Sequence, residues 1–305
     1  MNWKLKAKIQ NLISLLPSEL SYELYYQVQR RIGNLRAFKP LVGLTSGVET
    51  WKRLKQNGFR PLGATFFEIG TGRVPLTALA YWLMGADKIV TVDKNPYLKQ
   101  ELLLDSLRYI RDNQEEIKLI FNGALLEERF SILLSFSSSS GWNMVDFLNQ
   151  CQIVYNAPGD AARTALLDNS VDFVTSYWVF EHIPGPVLGK IIIESNRILS
   201  ETGASIHNID YRDHFIHADP DISSINFLQY SDKEWERFAG NRYMYMNRLR
   251  HDDYIDLIRS NGQKIVSEEL IIDPEIDSVL NSNDFVLDSR FSEKNREILS
   301  AGGAW

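Results

Sequence analysis

Apolar positions early in the chain recur at helical spacing. Leu5, Ile9, Leu12 and Leu16 fall on one face, Pro17-Ser18 restarts the chain, and Leu20, Leu24, Tyr25 and Val28 continue the pattern. This predicts helices over residues 2–36 and another from Val48 to Gln56, stopped by Asn57-Gly58. From Ala64 the period shortens. Thr65–Ile69 is an apolar run closed by Gly70-Thr71-Gly72, Leu76–Leu83 is helical, and Lys88–Asp93 is a second strand. Strand, helix and strand make a βαβ unit with a right-handed crossover. Residues 97–150 repeat Leu102, Leu103, Ser106, Leu107 and Ile110 in helical register, and Ile117–Leu134 continues in kind. A simple crossover needs far fewer residues, so 97–150 reads as a helical insertion, with Phe136–Gly141 and its serine run as a flexible loop. Alternation then resumes with strand Gln152–Tyr155, strand Val171–Thr175, helix Val187–Leu199 and strand Ala204–Ile209. A polar and aromatic segment, 211–247, precedes helix Asp252–Ser260 and two last strands, Lys264–Ile272 and Phe285–Phe291. The order predicts an α/β fold around a doubly wound, mostly parallel sheet. The expected boundaries are a helical N-terminal extension over 1–61, the α/β domain over 62–291 and a C-terminal tail over 292–305.

Composition narrows the class. One cysteine, Cys151, excludes an intrachain disulfide framework and fits a reducing, cytoplasmic compartment. Lys4, Lys6 and Lys8 precede an apolar stretch, but Gln10, Asn11 and Ser14 interrupt it, so no signal peptide is expected. The apolar run Leu76–Ala86 is too short to span a bilayer. The net charge of −6 argues against a nucleic-acid partner. That charge is uneven. Residues 1–40 carry seven basic side chains against Glu19 and Glu23, a net +5, which leaves −11 for the remainder. The basic amphipathic N-terminal helix with Trp3 has two readings: peripheral contact with an anionic membrane, or packing on its own domain. Packing is the expected one.

The candidate chemistry begins at Glu68-Ile69-Gly70-Thr71-Gly72. A glycine loop at a strand end lets backbone approach a ligand, and the following helix points its N–H groups there. The dinucleotide fingerprint needs a glycine where Pro75 stands, so a pyrophosphate loop is disfavoured. Asp93 closes the second strand, where a carboxylate can accept from both ribose hydroxyls. Gly159-Asp160-Ala161 follows the third strand, where Asp160 can accept an adenine amino group and the Ala161 N–H can meet a ring nitrogen. The run from Leu167 to Ile183, LDNSVDFVTSYWVFEHI, is the most specific feature. With the glycine loop and the strand-end acids it resembles class I S-adenosylmethionine-dependent methyltransferases from Phe66 to Leu199, less the insertion. The resemblance implies a Rossmann-like, seven-stranded sheet with the last strand antiparallel. It implies S-adenosylmethionine as cofactor, with Glu68, Gly70, Thr71 and Gly72 around its methionine part. Asp93 and the adjoining Lys94 would hold the ribose, Asp160 and Ala161 the adenine, and Tyr177 and Trp178 would line the other side. Many members have a third glycine where Val74 stands. The segments His207–Phe215 and Asn247–Arg250 are similar to bacterial methyltransferases linked to polysaccharide or secondary metabolism.

Three of five histidines, His207, His214 and His217, fall close together, interleaved with Asp210 and Asp213. Three readings compete: a general base for transfer to a hydroxyl, a mixed His/Asp metal site, and a hydrogen-bonded structural lid. The spacing matches no closed zinc motif and no cysteine is near, so no metal is expected. His214 is the first candidate base and His207 the second, with Asp210 or Asp213 as orienting carboxylate. His182 either caps its turn or takes part in catalysis. The expected acceptor is a small molecule or saccharide, walled by residues 97–150 and the aromatic lid 211–247. The alternatives are a nucleotide-cofactor oxidoreductase of the NAD type and a catalytically silent binding protein on the same fold.

Overall fold

Seven strands form one sheet in the computed structural model, which describes residues 1–33, 35–36, 38–138 and 141–305. They are β1 Thr65–Ile69, β2 Lys88–Val92, β3 Ile153–Asn156, β4 Val171–Tyr177, β5 Leu199–Asp210, β6 Leu270–Ile272 and β7 Ala301–Ala304. The order is β3-β2-β1-β4-β5-β7-β6. β1 runs parallel to β2 and β4, and β2 parallel to β3, while β7 is antiparallel to β5 and β6. This is the doubly wound, mostly parallel sheet expected, and its order reverses between β1 and β4. Ligands bind open α/β sheets outside the carboxyl ends at such a reversal.

The chain divides into two compact units. The first comprises Ala37–Tyr177 and Lys190–His207. Its centre is β1, where Phe66, Phe67, Glu68 and Ile69 are all buried, as in a parallel strand covered on both faces. Helix Leu76–Leu83 is likewise buried on every side. Helix Leu41–Gln56 lies across it and starts seven residues before the expected Val48. The cause is close packing through small residues. A Cβ on Gly43 would stand 2.5 Å from Leu76 Cβ, and one on Gly47 2.6 Å from Ala80 Cβ. Ser46 Oγ and Thr77 Oγ1 bond at 2.7 Å in the same seam. Between β2 and β3 the chain is helical, as expected, in Gln100–Asp112, Gln114–Phe121, Glu127–Ser138 and Met144–Gln150. The expected loop Phe136–Gly141 is corrected in part: Phe136–Ser138 close a helix, while Ser139 and Ser140 lie outside the described residues.

The second unit comprises Met1–Arg36, Trp178–Gly189 and Asn208–Trp305. The helices of residues 1–61 therefore do not act as one extension. Trp3–Ser14 and Ser18–Ile32 belong here, and Leu41–Gln56 belongs to the first unit. The expected strand Phe285–Phe291 is absent. That stretch turns, and Phe285, Leu287 and Phe291 pack into an apolar cluster. The seventh strand is Ala301–Ala304, inside the expected tail, and its small residues fit because the backbones crowd. A Cβ on Gly303 would stand 2.9 Å from the Ile209 carbonyl oxygen. The expected strand from Lys264 shortens to Leu270–Ile272. The fully buried Arg250 ties this region together by donating to the carbonyls of Tyr211, Ile298, Leu299 and Ala301.

The lid segment 211–247 holds the 3-10 turns His214–His217 and Asn226–Gln229 and helix Asp232–Ala239. Most of its aromatics are core, and Tyr245 is exposed. Trp235 packs against Phe215, Phe227 and Tyr230, and Trp3 from the first helix stands 4.8 Å from Phe238 and 5.3 Å from Phe215. The first helix buries Trp3, Ala7 and Gln10. The stripe expected to pack is turned outward, with Leu5, Ile9 and Leu12 exposed.

Candidate active site

In the first unit the loop after β1, the end of β2 and the turn after β3 meet around Asp93. Gly70 and Gly72 take φ of +92° and +69°, values that glycine reaches without a Cβ penalty. The Gly72 N–H donates to Asp93 Oδ2 at 3.0 Å, and the Asn95 N–H to Asp93 Oδ1 at 3.0 Å. The Gly159 N–H donates to the Asp93 carbonyl at 2.9 Å. A side chain on Gly159 would strike Val92 and the Asn156 carbonyl, so glycine is required for this approach. Each Asp93 oxygen keeps a further lone pair, enough for two hydroxyl donors. Burial raises the Asp93 pKa, and the N–H donors of Asn95, Gly72 and Lys94 oppose that. Lys94 itself is exposed. Asp160 is exposed, accepts from the Ala162 N–H at 2.9 Å, and stands beside half-buried Ala161.

Glu68 and Thr71 sit deeper. The Thr71 hydroxyl bonds Thr91 at 2.6 Å, so towards a ligand Thr71 offers its backbone. Glu68 is 4% exposed and its Oε2 has no partner. Burial pushes its pKa up to about 8, against hydrogen bonds from Thr91 and Thr77. Tyr177 ends β4 in this unit. Trp178 opens a segment of the other unit, with φ +55° and 40% exposure.

In the second unit the candidate catalytic groups separate clearly. Asp210 Oδ2 lies 3.5 Å from His214 Nε2, an electrostatic contact longer than a full hydrogen bond. Arg212 donates to both Asp210 oxygens at 2.9 and 2.8 Å. Burial raises the Asp210 pKa, but His214 and Arg212 outweigh it and hold the carboxyl well below its ordinary range. His182 closes the 3-10 turn Phe180–His182, its ring 4.9 Å from that of His214. Its Nδ1 bonds the Tyr245 carbonyl at 2.9 Å. Although its edge reaches solvent, desolvation and neighbouring His214 lower its pKa to about 4. Asp213 is spent on structure. It accepts from the Phe215 N–H and from Asn226 Nδ2, capping the turn His214–His217, and burial raises its pKa to about 6.

His207 belongs to the first unit, where its Nδ1 bonds the Ser176 hydroxyl at 2.8 Å and enclosure lowers its pKa to about 3. The second candidate base thus has one ring nitrogen engaged by a strand neighbour. Sequence reasoning missed Glu181, buried with both carboxylate oxygens unpartnered and its pKa raised well above the ordinary value by burial. It also missed Asn247, whose amide donates to the Phe180 and Ile183 carbonyls and fixes the turn. Glu181 had a signal in its place beside His182. Asn247 had none.

Residues 142–207 match the family model described as a methyltransferase domain. This stretch is similar to a methyltransferase domain. The match contains β3, the Gly159–Asp160 turn, β4 and most of β5, and against it the oxidoreductase alternative gives way. No curated protein matches the chain. Among solved structures, a protein of Galdieria sulphuraria described as a sarcosine dimethylglycine methyltransferase is similar at 15% identity and a TM-score of 0.43. The match covers 74% of this chain and 62% of that one, so this chain spans less than two thirds of its length. An S-adenosylmethionine dependent methyltransferase of Mesorhizobium loti is 10% identical, covering 74% of this chain and 85% of its own, with a TM-score of 0.43. The methyl donor implied by the domain is S-adenosylmethionine. The residues fit it: a Cβ on Gly72 would meet no atom within 4 Å, which leaves room at the loop, and Asp93 beside it retains acceptor capacity.

Proposed function

We propose that the protein transfers a methyl group from S-adenosylmethionine to a hydroxyl of a small molecule or saccharide, with His214 as general base and Asp210 as its orienting carboxylate. The observation that carries this is the His214–Asp210 pair. Asp210 is held by Arg212 and lies 3.5 Å from His214 Nε2, where it can orient the ring. Its neighbours are engaged elsewhere: His182 Nδ1 by the Tyr245 carbonyl, His207 Nδ1 by the Ser176 hydroxyl, and Asp213 by backbone and amide donors. When bound, the donor supplies a sulfonium methyl to the acceptor oxygen, and the S–CH3 bond breaks with its electron pair left on sulfur. His214 takes the hydroxyl proton as that oxygen attacks, a step worth about 10²–10⁴ in rate. Gly70, Gly72, Asp93, Asp160 and Ala161 hold and orient the donor. A saccharide or secondary metabolite is favoured by the likeness of His207–Phe215 and Asn247–Arg250 to methyltransferases linked to that chemistry.

An acceptor can be found by incubating cell extract with isotopically labelled donor and reading the products by mass spectrometry. With it, His214→Ala should lower kcat by at least about 10²-fold, abolish the rise of turnover with pH, and leave donor affinity unchanged by calorimetry. His207→Ala should leave the pH profile intact. A His214→Ala protein with full turnover and the parent pH profile overturns the assignment.

One observation favours a second reading. Glu181, His182 and His214 bring one ligand atom each within 4.8 Å of one another, and Glu181 is unpartnered. A carboxylate and two imidazoles could hold a divalent cation. The base reading expects turnover to survive EDTA. Loss of turnover restored by one divalent ion selects the cation instead.

A further inference from the structure

We propose that the outward face of the helices Trp3–Ser14 and Ser18–Ile32 docks on an anionic phospholipid surface. The first helix is amphipathic twice over. Trp3, Ala7 and Gln10 are buried, with Trp3 among Phe215, Tyr230, Trp235 and Phe238. The opposite face remains apolar and uncovered. Leu5 is 51% exposed, Ile9 40%, Leu12 67% and Leu15 80%, and the second helix adds Leu20 and Leu24. Spacing of three and four sets Leu5, Ile9 and Leu12 in one stripe, which a helix interior would bury and water does not favour. Exposed apolar side chains grouped along one helix face mark a binding face.

Charge decides the occupant. Lys8 is exposed and one residue from Ile9, at the edge of the stripe, while the exposed Lys4 rests its ammonium over the Trp3 and Phe238 rings. The two helices carry Lys4, Lys6, Lys8, Arg30 and Arg31 against Glu19 and Glu23, a net +3 on a chain whose total is −6. A second copy of the chain would set two such basic faces against each other. A bilayer with anionic headgroups would neutralise the lysines while leucine side chains enter the headgroup boundary, as in interfacial helices. No described helix is long and apolar enough to cross a membrane, so the contact lies on the surface.

The test uses the full chain in co-sedimentation with vesicles of phosphatidylcholine alone and of equal parts phosphatidylcholine and phosphatidylglycerol. Binding is expected to the mixed vesicles only, and to weaken with salt. The variants Leu5→Ser/Leu12→Ser and Lys8→Glu should each reduce the bound fraction at least about tenfold at an unchanged melting temperature. Three results overturn the proposal: no binding of the parent chain to mixed vesicles, binding unaltered in both variants, or leucine-dependent dimerisation in solution without vesicle binding.

Discussion

Asp93 joins two tasks in one carboxylate. It accepts the Gly72 and Asn95 N–H groups, and its remaining lone pairs are those a ribose would use. Asp93→Ala should therefore weaken S-adenosylmethionine binding by about 1–3 kcal/mol, measured by calorimetry on a folded variant. Unchanged affinity would remove the ribose role. Glu68 gives a pH signature. Its folded pKa is raised from 4.5 to about 8, mainly by burial, so the carboxyl keeps its proton in the folded chain more readily than in the unfolded one. Its stabilising contribution is full below the ordinary value and is lost as pH rises through about 8. The melting temperature of the ligand-free protein should fall between pH 5 and pH 8, and Glu68→Gln should flatten that fall. At this scale the sequence gathered the candidates without choosing among them. Asp210 and Asp213 were both open as the partner of His214, and it is Asp210 that stands 3.5 Å from its ring. It was uninformative for His207, whose place in a strand gave no hint that Ser176 would engage its ring.

Elements were legible where their residues carry a strong period. β1, β2 and helix Leu76–Leu83 are continuous apolar runs bounded by glycines, and they lie where the pattern put them. β7 was not, because Ala301-Gly302-Gly303-Ala304 lacks the branched and aromatic side chains that announce a strand. Its place between β5 and β6 depends on how small it is. Helix Leu41–Gln56 hid its first two turns for the same reason. Gly43 and Gly47 look like helix breakers, yet they are the surface on which Leu76 and Ala80 sit. Gly47→Ala sets two effects in opposition. Helix propensity favours alanine by up to about 1 kcal/mol. The new methyl would lie 2.6 Å from Ala80 Cβ and 2.9 Å from the Thr77 carbonyl, and such overpacking costs about 1–3 kcal/mol. Denaturant titration should show a net loss, and a gain would mean the helices slide apart freely.

For the molecule as a whole, the orientation of the first helix was the main surprise. Counting leucines points to Leu5, Ile9 and Leu12 as the inner face, but one buried indole outweighs them. Trp3→Ala should cost about 3–5 kcal/mol and show as a lowered melting temperature, while Leu12→Ser should leave it nearly unchanged. A converse ranking would return the leucines to the core. That cluster joins Trp3 and Ala7 to Phe227, Trp235, Phe291 and Leu299. Trp3 thus finds its partners only once residues 291 and 299 have been made. A ribosome delivers residue 3 long before residue 291, while the unit spanning Ala37–Tyr177 and Lys190–His207 is complete by residue 207. During synthesis the helix Trp3–Ser14 must wait, with its indole bare, until Leu299 has emerged. Vectorial synthesis thus favours completion of the first unit before the second.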